Sequence, residues 1–114
     1  MTYTIFHNPR CKKSRRGLEF LKQKTDDYEI VEYLKKSINV DDLKRLLMKL
    51  NIPAEELVRT QEEQYKKELK GKHFTNDEWI SILLENPKLM KRPVVEGKYK
   101  AVIADPPENL KYLF

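Results

Sequence analysis

The chain has a single cysteine, Cys11, among its 114 residues. A fold stapled by disulfides needs cysteines in pairs and a thiolate zinc site needs several, so neither can form within the chain. Histidine is nearly as scarce. His7 and His73 lie far apart with no metal-ligand spacing, and no metal site is expected. With only three glycines there is no Gly/Ser linker, and neither an internal repeat nor a low-complexity tract is present. No apolar run is long enough to cross a bilayer, and the chain opens on strand-like residues rather than on a leader sequence. A soluble, cytoplasmic protein without a membrane partner is the expectation. The lone thiol is then either a small buried hydrophobe or a nucleophile.

What is present suits one domain spanning residues 1–114. Hydrophobic residues make up 39% and charged residues 36%, enough for one core under a charged surface. The net charge of +5 favours anionic partners, whether a small oxyanion, an acidic protein or nucleic acid. No recognition helix or RNA-binding motif is visible, so no specific nucleic-acid partner is expected.

Periodicity orders the elements. Thr2 to His7 reads as a strand that runs into the turn Asn8-Pro9. After Cys11, the residues Gly17, Leu18 and Leu21 share one helix face, and Tyr28 to Leu34 reads as a second strand, parallel to the first across the crossover. The middle switches to helical spacing. Asp41-Asp42 opens a helix carrying Leu43, Leu46, Leu47 and Leu50, with Val40 placed to staple its start. Pro53 separates a shorter helix through Leu57, and Gln61 to Lys70 is too polar to assign firmly. Thr75 with Glu78 forms a capping box before Trp79, Ile82 and Leu83, and Asn86-Pro87 ends that helix. Pro93 to Glu96 and Tyr99 to Ile103 read as a hairpin turning at Gly97, followed by a short helix from Pro106 carrying Leu110 and Leu113. The predicted fold class is α/β, a mixed sheet of about four strands with a helical insertion (about residues 38–91) between the second and third strands.

One constellation carries chemistry: His7-Asn8-Pro9-Arg10-Cys11-Lys12-Lys13-Ser14. A strand delivers the chain to a loop, a cysteine follows, and a helix begins. Unpaired N–H groups at a helix start, together with its dipole, favour a thiolate over a thiol. Arg10, Lys12, Lys13, Arg15 and Arg16 add positive charge, and the same features suit an anion above the sulfur. The plain alternative is a structural cysteine at a strand end. A second feature is Arg92-Pro93 before the third strand, where a cis proline would turn the backbone toward the helix start.

The run His7 to Arg15, then Leu57-Val58-Arg59, then Leu89-Met90-Lys91-Arg92-Pro93-Val94-Val95, then Pro106-Pro107-Glu108, resembles the ArsC-like family of glutaredoxin-coupled arsenate reductases and their relatives. The resemblance covers essentially the whole chain in the right order and spacing. It implies a thioredoxin-like fold with a helical insertion and makes Cys11 the nucleophile. It implies that His7 and Ser14 flank the cysteine and help hold its thiolate, and that Arg59 and Arg92 contact the oxyanion. Pro93 matches the cis proline of thioredoxin-like folds. No bound cofactor is implied; electrons would come from an external thiol, glutathione, with glutaredoxin as partner. The single cysteine implies the same independently, because an enzyme that resolves its own intermediate needs a second thiol.

One position departs from the pattern. The arsenate reductases carry a third arginine before the C-terminal helix, and Asp105 stands at that place here. No arginine follows Arg92, and Lys98, Lys100 or Lys111 can supply charge but not a planar fork. Two other readings therefore stay open. One is a glutathione-dependent thiol or disulfide reductase, which needs less oxyanion contact. The other is a non-catalytic regulator that binds the RNA polymerase α subunit. The redox-sensing members of that class carry Cys-x-x-Cys at this loop, where Ser14 occupies the second position.

Overall fold

The aromatic and β-branched opening run is extended: in the computed structural model, which describes residues 2–114, strand β1 is Tyr3–Phe6. Helix α1, Lys12–Lys24, follows, and strand β2, Tyr28–Val31, pairs parallel with β1. Late in the chain β3, Val94–Glu96, pairs antiparallel with β1, and β4, Ala101–Ile103, pairs antiparallel with β3. The sheet order is therefore β2-β1-β3-β4, a mixed four-stranded sheet. Ile5 and Val95 at its centre are fully buried and pack with Leu18 and Leu21 of α1, Ala104 and Leu110. Leu110 lies in a closing 3-10 helix, Pro107–Tyr112. Burying a leucine of this kind contributes about 1.5–3 kcal/mol. These elements belong to one compact unit, the residues up to Ser37 together with Arg92–Phe114.

Ile38–Lys91 is the second unit. It contains α2, Val40–Leu50, and α3, Asn76–Glu85. Both start at full capping boxes. Thr75 Oγ1 accepts the Glu78 N–H at 3.1 Å while the Glu78 carboxylate accepts the Thr75 N–H at 2.8 Å. Asn39 Oδ1 accepts the Asp42 N–H at 2.8 Å, and Asp42 returns the bond at 3.2 Å. The cap is thus Asn39, two residues earlier than the two aspartates suggested. Val40 becomes the first helical residue, 45% exposed, and so does not occupy the position before the cap that a staple requires. A 3-10 turn, Ala54–Leu57, and a π turn, Tyr65–Leu69, lie between the helices. The unit closes its own base: Val58 bridges Met90, Arg59 N–H donates to Leu89 O at 2.7 Å and Lys91 N–H donates to Leu57 O at 2.8 Å.

Three further boundaries differ from the periodicity. β2 stops at Val31, because β1 ends at Phe6 and the His7 N–H takes the Val31 carbonyl at 2.9 Å as the last rung. β4 begins at Ala101. Gly97 N–H donates to Lys100 O at 2.8 Å, so residues 97–100 are spent on the turn and Tyr99 is left 78% exposed. In α3 the buried face is Trp79, Ile80 and Leu83, and Ile82 is only half-buried. No helix among the described residues is long and apolar enough to cross a membrane.

Candidate active site

The chain leaves the central strand β1 and must turn into α1 within the five residues from His7 to Cys11. Asn8 organises this turn. Its carbonyl accepts the Cys11 N–H at 3.0 Å and its carboxamide oxygen accepts the Arg10 N–H at 3.1 Å. Its own N–H donates 3.0 Å to the hydroxyl of Ser14, which has no exposed surface. The same hydroxyl shares a 2.7 Å hydrogen bond with His7 Nδ1. Ser14 therefore ties the end of the strand to the first turn of the helix from inside. Arg15 holds the loop from outside, its guanidinium donating to Pro9 O at 2.9 Å.

Cys11 sits at the N-cap of α1 in extended conformation, partly exposed. The neutral thiol makes no formed capping bond. Instead, the environment favours the thiolate. Burial pushes the thiol up, but the Ser14 N–H, the Arg92 guanidinium (by hydrogen bond and by charge) and the Lys13 N–H together hold it below its ordinary value. Arg92 is itself buried, so its charge acts on the sulfur with less screening than a surface cation would. Arg10, Lys12, Lys13, Arg15 and Arg16 are exposed and form the outer rim.

His7 is buried and its imidazole is held below its ordinary value. Burial is the main cause, opposed by the Glu32 carboxylate and reinforced by Arg15 and Lys22. A neutral ring is the consequence. The Ser14 hydroxyl, which accepts the Asn8 N–H, also shares a hydrogen bond with the ring nitrogen, and His7 acts as a wall of the loop.

The turn that presents Arg92 completes the site. The Arg92-Pro93 peptide is cis, as is a second bond, Asp105-Pro106, which the sequence reading did not single out. Pro93 O accepts the Ala104 N–H at 2.8 Å, so the two proline turns are joined. Asp105 pairs with Lys13 across 3.3 Å. Cys11, Arg92, Pro93, His7 and Ser14 all belong to the first unit. Arg59 belongs to the second, where its Nε donates 3.2 Å to Glu62 Oε1 and its side chain is largely buried. Asn8 and the Lys13–Asp105 pair were not singled out for these roles from sequence; the Asx-turn position of Asn8 before Pro9 was the available signal.

A mixed sheet with a thiol at the start of its first helix, and an arginine presented by a proline turn, defines a thioredoxin-like α/β thiol protein. The comparisons narrow this. The chain matches the model of the ArsC family over residues 6–113 and belongs to that family. The protein YfgD of Escherichia coli (strain K12) is 40% identical over 108 residues, covering 93% of this chain and 91% of that one. An arsenate reductase of Neisseria meningitidis serogroup A is 34% identical over 109 residues, covering 94% and 93%. Among solved structures, an arsenate reductase from Vibrio cholerae superposes with a TM-score of 0.92 at 33% identity, covering all of this chain and 98% of that one.

Proposed function

We propose that the protein is a thiol-dependent reductase of the arsenate reductase type, with Cys11 as nucleophile. The observation that carries this reading is Cys11 at the N-cap of α1, its thiol held below its ordinary value by the Ser14 and Lys13 N–H groups and the Arg92 guanidinium, an environment that also suits an anion. In the proposed reaction Arg92 holds the oxyanion with its central atom in line with the sulfur. The thiolate attacks arsenic(V) and a water leaves. An external thiol, glutathione, then attacks Cys11 sulfur; the electron pair of the sulfur–arsenic bond stays on arsenic, which departs as arsenite. The resulting mixed disulfide is reduced by a second thiol, with glutaredoxin completing the cycle. Arg59 is proposed as a second oxyanion contact, a role that rests on the family pattern alone. His7 and Ser14, both buried, shape the loop rather than touch the anion.

The Lys13–Asp105 ion pair favours a second reading. A carboxylate at that place weakens attraction for a multiply charged oxyanion and leaves thiol exchange untouched. A glutathione-dependent reductase acting on a mixed disulfide would use the same thiolate.

The test is a coupled assay with arsenate, glutathione, a glutaredoxin and NADPH-linked glutathione reductase, set beside the Cys11→Ser variant. NADPH consumption that needs both arsenate and Cys11 is expected. Turnover of a glutathionylated peptide but not of arsenate would select the second reading, and turnover of neither would remove the reductase assignment.

A further inference from the structure

Gly17 sits inside α1, where glycine is among the poorest of residues for a helix. Its position explains the choice. A Cβ built there would lie 2.4 Å from Pro93 Cγ, 3.3 Å from Pro93 Cδ and 3.2 Å from the Ala104 carbonyl oxygen. The first distance is far inside van der Waals contact, and the atoms it meets are not the free ends of flexible chains. Pro93 and Ala104 are buried, and they are bonded to each other through the 2.8 Å hydrogen bond between the Ala104 N–H and Pro93 O. Both turns therefore rest on the bare backbone of α1 at residue 17.

The residue covalently next to Pro93 is Arg92. We propose that Gly17 is a positioning residue for the thiol: its lack of a side chain lets the Arg92-Pro93 turn seat on α1, and that seating sets the Arg92 guanidinium against Cys11. The inference rests on Cys11 being the nucleophile, yet it makes no assumption about what is reduced. A methyl group at residue 17 has two opposed effects. It favours the helix, because alanine is the better helix former, and it drives Pro93 outward, carrying Arg92 with it. Lys13 in the first turn of α1 is engaged separately, by its ion pair with Asp105.

The experiment is the pH dependence of Cys11 alkylation by iodoacetamide, measured without substrate on the wild type, Gly17→Ala, Arg92→Ala and the double variant. Gly17→Ala should move the titration midpoint upward and slow alkylation severalfold at neutral pH. In the Arg92→Ala background it should add nothing further, because its route to the sulfur has been removed. An unmoved midpoint in folded Gly17→Ala, or an equal shift with and without Arg92, would overturn the proposal. If Gly17→Ala does not fold alone, Pro93→Ala supplies the room. Gly17→Ala/Pro93→Ala should then fold and titrate like Pro93→Ala, and a failure of either kind would overturn the contact. Because no substrate is present, these outcomes are independent of the coupled assay.

Discussion

The Lys13 ammonium and the Asp105 carboxylate lie 3.3 Å apart, so Asp105 neutralises a cation of the first helical turn. The pair is partly exposed, with side-chain exposures of 56% and 35%. Such a pair contributes about 0–1 kcal/mol to folding, so its value to the protein lies in charge at the site rather than in stability. Asp105→Arg should leave the thermal midpoint nearly unchanged and lower KM for arsenate, with a smaller effect on kcat, in the coupled assay. An unchanged KM would argue that arsenate is not the substrate.

Ser14→Ala should be costly although it removes a single oxygen. The hydroxyl accepts the buried Asn8 N–H and meets His7 Nδ1, and both partners would be left without it in a site closed to water. Orphaning a buried donor costs about 1–3 kcal/mol. Urea unfolding should show a loss in that range. Ser14→Thr, which keeps the oxygen but adds a methyl to a site with no free surface, should not fully restore stability.

His7 gives stability a pH dependence of defined sign. Its folded-state value is lowered, chiefly by burial, so in the window between the unfolded value of ~6.5 and the lower folded one the unfolded chain binds more protons. Stability should be complete above that window, fall as pH drops through it and level off below the folded value. Urea midpoints between neutral and mildly acidic pH would show the slope. His7→Gln should flatten it, and an unaltered slope in that variant would assign the effect to other groups.

Some of this was legible before any coordinates. The β-α-β opening, the Leu43, Leu46 and Leu47 part of the first stripe (Leu50 is only half-buried) and the Thr75–Glu78 box appear where periodicity put them. They are decided by side chains within one or two turns of each other, and short-range rules therefore suffice. The placement of Cys11 at a helix start is of the same kind, because a strand, a proline loop and an amphipathic run specify it locally. Errors came where a neighbour distant in sequence decides. β2 ends with its partner β1 rather than with its own propensity, and the hairpin turn takes Tyr99 out of β4.

The sequence by itself determined the order of elements and the single thiol at the first helix, because these depend on composition and on near neighbours. Tertiary structure alone decided which cation reaches the sulfur, that Lys13 is matched by Asp105, that Ser14 bonds His7 inside the loop, and that Gly17 receives Pro93. The His7–Ser14 bond needs the loop to close, and the others need the returning strands β3 and β4 to bring their turns back to α1. Distances between those segments are set by sheet pairing and core packing, which no local pattern records.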